Sequence, residues 1–208
     1  MLNQEDEVAK TIQTYEKTAK DYFNARNDIN IIKDLADYFL ENIPGHKVLD
    51  IGCGPGRDAR YFLEHGLEVT GIDMTANFIK LAVTNAPKAN FKKMDMRNLG
   101  FADESFDGIW SCASFLHIPK KQAKNTLQGF HRVLRPQGLL YISVKQGNGE
   151  KNVVNKRYKD GRSKFFAFYS KDELKKLLLS CDFKIIKIST NIFEETLDQW
   201  VNIFATKS

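Results

Sequence analysis

Apolar side chains recur along this chain with two different periods, and the switching between them lays out its elements. Residues 5–25 carry Val8, Ile12, Tyr15, Ala19, Tyr22 and Phe23 at helical spacing, and residues 30–42 carry Ile31, Ile32, Leu35, Ala36, Phe39 and Leu40 likewise. Each set lines one face of an amphipathic helix. Pro44-Gly45 ends the second, because proline cannot continue a helix. Short apolar runs then take over at 47–51, 67–73, 90–94, 106–111 and 139–144. Runs of that length, rich in branched and aromatic side chains, read as strands. Helical patterns at 58–64, 75–85 and 119–134 separate them. This alternation predicts a parallel α/β sheet. Further on, Phe165-Phe166-Ala167-Phe168-Tyr169 is strand-forming, and Ser170-x-x-Glu173 is a capping box that opens a helix over 171–181. Strands over 183–189 and 199–205 finish the chain.

The first strand, Lys47-Val48-Leu49-Asp50-Ile51, runs into Gly52-Cys53-Gly54-Pro55-Gly56-Arg57 before the next helix. Glycine permits a sharp turn and lets a ligand approach the main chain where a Cβ would block it. The helix that follows presents its first N–H groups nearby. Strand, glycine turn and helix together make a nucleotide-cradling unit. The dinucleotide fingerprint places glycines at its first, third and sixth positions. Here they stand at 52, 54 and 56, and the sixth position is Arg57, whose side chain would crowd the helix–strand approach. Asp73 ends the second strand about 20 residues beyond the turn, where a ribose-binding acid is expected. A carboxylate there can accept both ribose hydroxyls of a nucleoside lying across the strand tips. The alternative is an N-cap for the helix over 75–85. The third strand also ends in acid, at Asp95, followed by Met96.

Gly-x-Gly-x-Gly after Leu49-Asp50-Ile51 resembles motif I of the class I S-adenosylmethionine-dependent methyltransferases. Arg135-Pro136-x-Gly138 before a buried strand resembles the turn into that family's fifth strand, and Tyr15-x-x-x-Ala19-x-x-Tyr22 is similar to the N-terminal helix that covers its cofactor. The resemblance spans residues 8–206. It implies a single Rossmann-like domain over 1–208, with a seven-stranded mostly parallel sheet, an antiparallel last strand and helices on both faces. Residues 1–43 would form a helical cap, and 145–164 a basic loop insertion.

The same resemblance implies S-adenosylmethionine as cofactor and S-adenosylhomocysteine as product. Asp50, Gly52, Cys53, Gly54 and Gly56 would bind at the first strand tip, and Asp73 at the second. Asp95 would accept from the adenine amine, and Met74 and Met96 would sandwich the ring. Ser111 and Cys112 would border the cofactor at the fourth strand, with Cys112 a small apolar filler, and Tyr15 and Tyr22 would face the cationic donor. The bland reading of the tyrosines and methionines is core packing.

The segment Ser111-Cys112-Ala113-Ser114 corresponds to the family's motif IV, where methyl group meets acceptor. It lacks the Asn/Asp-Pro-Pro-Tyr/Phe signature of amine methylation on an aromatic ring and the Pro-Cys pair of cytosine C5 attack, which disfavours both. The implied reaction is in-line displacement onto a small-molecule O or N acceptor, dominated by proximity and orientation. His117 is the candidate base, just beyond the fourth strand. Its alternative is a histidine satisfied by local backbone.

Between 145 and 164, Lys145, Lys151, Lys156, Arg157, Lys159, Arg162 and Lys164 face only Glu150 and Asp160. Such a loop could clamp an anionic acceptor through Lys145 or Arg162, with Tyr169 at its edge, or be a solvated lid. The net charge of +5 is compatible with an anionic substrate or a nucleic acid. A methyltransferase acting on tRNA or protein, and a non-catalytic cofactor-binding module, are therefore the alternatives.

At 208 residues, 42% hydrophobic and 27% charged, the chain suits one globular α/β domain. No run of about 18 apolar residues predicts a membrane span. Met1–Glu7 is acidic and polar, the wrong composition for a secretory leader. The three cysteines have no Cys-x-x-Cys pairing, so they are expected as reduced thiols of a cytoplasmic protein without a metal site.

Overall fold

The computed structural model describes residues 4–154, 162–193 and 198–208. Helix α1 (Gln4–Arg26) opens the chain, and a short 3-10 turn (Ile29–Ile32) leads into α2 (Lys33–Asn42). Strand and helix then alternate through β1 (Lys47–Ile51), α3 (Arg57–Glu64), β2 (Glu68–Asp73), α4 (Ala76–Asn85) and β3 (Asn90–Lys93). After β4 (Phe106–Cys112), α5 (Lys120–Val133) and β5 (Leu134–Lys145) come β6 (Glu150–Val154), β7 (Ser163–Ala167), α6 (Lys171–Leu179), β8 (Phe183–Phe193) and β9 (Asp198–Lys207).

Seven strands form one sheet in the order β3-β2-β1-β4-β5-β9-β8. β9 runs antiparallel to both β5 and β8. Residues 194–197 are too short a connection for a parallel crossover, so β9 must reverse direction. β1 and β4 are neighbours although α3, β2, α4 and β3 lie between them in the chain. The chain thus winds outward one way from β1, then the other way from β4. Crevices outside the carboxyl ends of strands open at such a reversal.

The central strands are buried on both faces, as their unbroken apolar runs require: Val48, Leu49, Ile51, Ile109 and Leu140 are fully buried. Trp110 stacks on Tyr141 with centroids 4.0 Å apart, and its Nε1 donates to Asp58 Oδ2 at 2.8 Å. A buried indole N–H needs such a partner. Phe39 of α2 packs on Trp110 and Phe62, so α2 seals one face of the sheet.

Helix α1 does something else. The carboxylate of Glu16 accepts from the backbone N–H groups of Ala76 (2.6 Å) and Asn77 (3.0 Å), capping α4 from outside. Thr14 Oγ1 donates to the Ser163 carbonyl at 3.0 Å, and the Phe165 N–H donates to Thr11 Oγ1 at 2.8 Å. α1 therefore bridges α4 and β7 across the carboxyl ends of the strands. The expected helical cap over 1–43 divides in two, α1 roofing the strand tips and α2 sealing a face.

The expected loop over 145–164 is corrected. β5 extends to Lys145, and β6 and β7 pair antiparallel from Glu150↔Ala167 to Val154↔Ser163. Polar composition hid these strands because what pins them is remote in sequence, namely Thr11, Thr14 and Glu7, whose Oε2 accepts from Asn152 Nδ2 at 2.6 Å. Lys164, one of the cations of that segment, is 6% exposed. Lys156, Arg157, Lys159 and Asp160 lie outside the described residues.

Candidate active site

A cavity partly open to solvent lies at the carboxyl ends of the strands beneath α1. Gly52 and Gly54, Asp73 and Met74, Asp95 and Met96, and Cys112 and Ala113 border it, so β1, β2, β3 and β4 each contribute. From the β3 tip to the β4 tip is three inter-strand steps of about 4.8 Å, roughly 14 Å. A nucleoside carrying a short chain can lie along such a line.

At β1 the glycine turn runs through left-handed backbone, with φ of +71° at Gly52, +51° at Gly54 and +84° at Gly56, a region that favours glycine. A Cβ on Gly52 would overlap Ser114, and one on Gly56 would meet Ala82 Cα at 3.0 Å. Among the described residues, no atom outside Gly54 and its chain neighbours lies within 4 Å of where a Gly54 Cβ would stand. Its bare backbone therefore faces open space on the cavity.

Asp73 closes this turn from β2: Oδ2 accepts from the Gly54 N–H at 3.1 Å and Oδ1 from the Thr75 N–H at 2.7 Å. Thr75, not Asp73, is the N-cap residue of α4. Burial pushes the Asp73 carboxyl above its usual range, and the N–H groups of Thr75 and Gly54 oppose that. At β3, both carboxylate oxygens of Asp95 are engaged by Arg97, with Nε at 3.0 and 2.9 Å. A ligand amine there would have to share the carboxylate with a guanidinium.

Tyr15 and Tyr22 border the cavity from α1, edge to face with centroids 5.7 Å apart, and both rest on Phe78 of α4. The Lys164 ammonium lies 3.8 Å from the Tyr15 ring centroid. A cation of the chain itself thus uses a face that the sequence reading left for a bound one. Burial lowers that ammonium's pKa to about 8, with Lys145 and Arg26 adding to the shift.

At the β4 tip, Ala113 has φ of +54°, strained for a residue with a Cβ. Burial pushes the Cys112 thiol upward, so it stays protonated and unreactive. Beyond it, His117 ends a short 3-10 turn (Phe115–His117). Its Nδ1 is 2.7 Å from the Phe165 carbonyl, and its Nε2 is 3.0 Å from Tyr15 Oη. Burial lowers its pKa to about 4, with the Phe165 carbonyl opposing and Lys164 and Lys145 adding to the shift.

Other residues expected at the site stand behind it or away from it. Asp50 is 2% exposed beneath the turn and, among the described residues, its Oδ2 has no partner. Burial, with the charges of Asp58 and Asp73, holds its carboxyl well above the usual range against the pull of Arg57. Cys53, Gly56 and Ser111 are buried behind the lining, the Ser111 hydroxyl 2.8 Å from that of Ser114. Lys145, Arg162 and Tyr169 lie outside the cavity. Tyr169 is 1% exposed in the core against Phe115 because the β7 hairpin turns its ring inward, and Lys145 Nζ is paired with Asp198 Oδ2 at 2.6 Å.

Sequence reading missed Phe78, Met94, Ser114 and Ile118, which also border the cavity. Phe78 and Ile118 were legible only as apolar positions. Arg57, at the sixth position of the turn, directs its Nε to Asp58 Oδ1 and its Nη1 toward the Arg26 carbonyl.

Residues 48–138 match the family profile described as a methyltransferase domain. The O-methyltransferase rstn1 of Aspergillus nomiae is 31% identical over 166 residues, covering 72% of this chain and 69% of that protein. Of two other curated relatives that it matches, methyltransferase GfsG of Streptomyces halstedii and phosphoethanolamine N-methyltransferase 3 of Arabidopsis thaliana, the chain spans less than half the length, 39% and 27%. A SAM-dependent methyltransferase structure from Methanosarcina mazei is 26% identical with a TM-score of 0.72, covering 81% of this chain and 96% of that one. The fold is shared with 1,6-didemethyltoxoflavin-N1-methyltransferase of Burkholderia thailandensis, at a TM-score of 0.81 and 21% identity over 100% of this chain and 92% of that one. With the glycine turn and sheet order already described, a relative covered over more than two thirds of its length decides the matter: the chain belongs to the class I S-adenosylmethionine-dependent methyltransferase family.

Proposed function

We propose that this protein transfers a methyl group from S-adenosylmethionine to an oxygen or nitrogen of a small-molecule acceptor, by in-line displacement. The observation that carries this reading is the single cavity bordered by the tips of β1, β2, β3 and β4, with the Gly54 backbone bare toward it. The residues present suit the cofactor. Gly54 offers unobstructed main chain for the methionyl portion, with Gly52 beside it on the lining and Asp50 buried beneath the turn. Asp73 would hold the ribose, Asp95 and Met96 the adenine edge, and Met74 and Met96 its faces.

When bound, the cofactor supplies a methyl group activated on a sulfonium, which needs no acid to help it leave. The chain's own work is then alignment and exclusion of water. α1 roofs the cavity through Glu16, Thr14 and Tyr15, and the lining beneath is largely alkyl, thioether and aromatic. Such positioning is worth on the order of 7–11 kcal/mol in favourable model reactions. The Aspergillus relative's name as an O-methyltransferase supports a hydroxyl acceptor. Among the described residues no helix is long and apolar enough to cross a membrane.

Calorimetric titration of the protein with S-adenosylhomocysteine and NADH side by side tests the cofactor assignment. Saturable S-adenosylhomocysteine binding with weak or absent NADH binding is expected, and tighter NADH binding would overturn it. Release of S-adenosylhomocysteine across a panel of hydroxyl and amine acceptors then tests turnover. Saturable cofactor binding with no turnover on any acceptor would favour a silent binding module, and strong salt-dependent RNA binding an RNA-modifying enzyme.

A further inference from the structure

We infer that Arg97 is a positioning residue for the cofactor's adenine. Its guanidinium, anchored on α5 by Gln122, fixes the Asp95 carboxylate with one acceptor position open, so that this end of the cavity selects an amine over a carbonyl oxygen. This rests on the methyltransferase reading above, which puts the adenine edge at Asp95.

β3 is the outermost strand on its side of the sheet and is only four residues long. The cavity residues that follow it, Met94, Asp95 and Met96, belong to no helix or strand. A binding group on such a segment needs support from elsewhere to stay in place. The Met94 N–H donates to the Asp73 carbonyl at 3.1 Å and the Asn98 N–H to the Asp95 carbonyl at 3.0 Å, which fixes main chain only. Arg97 fixes the side chain. Its backbone N–H donates to Asp95 Oδ1 at 2.9 Å, its Nη2 to Oδ2 at 2.6 Å, and its Nε lies 3.0 and 2.9 Å from the two oxygens. Its Nη1 donates to Gln122 Oε1 at 3.1 Å, in the first turn of α5. The same helix grips the next stretch of chain, where Arg132 donates to the Leu99 and Phe101 carbonyls at 2.7 Å each. A guanidinium can hold a carboxylate on one side and an amide on the other because its N–H directions are rigidly related.

A carboxylate offers four lone-pair positions. Arg97 brings three N–H groups to them, its backbone N–H, Nε–H and Nη2–H, and leaves one. One open position, held still, suits one N–H, and the exocyclic amine of adenine supplies it. A purine with a carbonyl oxygen in that place sets lone pairs against the carboxylate. Its donor lies on the neighbouring ring nitrogen, which a clamped carboxylate cannot turn to follow and a released one can. The side chains of Asp95 and Arg97 are each 26% exposed. Without the guanidinium, the carboxylate would turn toward water and have to be ordered again on binding.

The test measures calorimetric affinities of the whole protein for S-adenosylhomocysteine and S-inosylhomocysteine, in which an oxygen replaces the adenine amine. The wild type should prefer the adenosyl ligand by about tenfold or more, the scale of one hydrogen bond to a charged group. Arg97→Ala should weaken the adenosyl ligand about fivefold and bring the two ligands within about threefold. Arg97→Lys keeps the charge but not the fork, and should do the same. In an Asp95→Ala background, Arg97→Ala should change the adenosyl affinity by less than about twofold. Gln122→Ala keeps the pair but loosens its anchor. It should narrow the preference about twofold, and it carries the test if Arg97→Ala does not fold. An Arg97 that only stabilised the loop would shift both ligands by one factor and add its loss to that of Asp95→Ala. Either result, a wild type without preference, or a full preference kept in Arg97→Lys or Gln122→Ala would overturn the inference alone. Wild-type affinity in Asp95→Ala would overturn the adenine placement, and failure of S-adenosylhomocysteine to bind at all the methyltransferase reading, each taking this inference with it.

Discussion

Ser114 fills the space that a side chain on Gly52 would need, and its hydroxyl donates to the Ile51 carbonyl at 2.6 Å. The tip of β4 is thereby fastened to the tip of β1, and the glycine turn is held open toward the cavity rather than collapsed onto its neighbour.

Two alanine substitutions in that turn should therefore fail differently. Gly52→Ala combines positive φ with overlap against Ser114, and should lower unfolding free energy by several kcal/mol (~3 or more) in urea titrations. Gly54→Ala meets no atom of the described residues beyond its chain neighbours, so the left-handed backbone is what penalises it, by about 1–2 kcal/mol. It should fold and yet lose S-adenosylhomocysteine affinity, because its Cβ enters the ligand's space. A Gly54→Ala protein with wild-type affinity would remove the ligand from this backbone.

Asp73→Ala should weaken S-adenosylhomocysteine binding by at least ~1 kcal/mol in calorimetry, through lost charge-assisted hydrogen bonds. Part of that loss comes from the Gly54 N–H, which the carboxylate now steadies. Unchanged affinity in a folded variant would mean that the ribose lies elsewhere.

Asp107 makes a stability prediction away from the cavity. Its carboxylate accepts from the N–H groups of His46 (3.0 Å) and Lys47 (2.9 Å) and pairs with Arg135. Burial alone would raise its pKa, but the Lys47 N–H, Arg135 and the His46 N–H together hold it below the usual carboxylate range. A carboxyl with a depressed folded pKa contributes its full stability above the unfolded pKa and loses it as pH falls through the folded one. Asp107→Ala should cost about 2 kcal/mol at neutral pH. The gap to wild type should narrow below about pH 4, and a constant gap on acidification would count against the ionised contacts.

His117 gives a second loss of stability on acidification, at higher pH. Its folded pKa near 4 lies below the ordinary value of 6.5, because burial disfavours the cation. Between those values the unfolded chain binds the extra proton, so stability should fall as pH drops from 6.5 to 4, by up to about 3 kcal/mol. His117→Gln should flatten that slope in thermal melts across the range. An equally steep slope in the variant would assign the titration to another group.

Features of the site that were legible in the sequence are those carried by neighbours in the chain. A glycine turn following an apolar run announces itself, as do acids that end apolar runs at Asp73 and Asp95. So does the capping box of α6, where Ser170 Oγ accepts from the Glu173 N–H at 3.1 Å. The engagement of Asp95 by Arg97, two residues on, was local enough to have been read. The strands β6 and β7 were not, because composition marked them as solvated while their anchors lie on α1.

By itself, then, the sequence determined the alternation of elements, the left-handed turn that only glycine enters cheaply, and acids at the ends of the next two strands. Those follow from backbone sterics and from periodicities of two to four residues. Tertiary structure alone decided that α1 would roof the strand tips, that Lys164 and Tyr169 would be buried, and that the Tyr15 hydroxyl would meet a histidine 102 residues away. No periodicity encodes such partners. They meet because two elements pack on the same end of the sheet, and burial then leaves each polar group only the partner beside it.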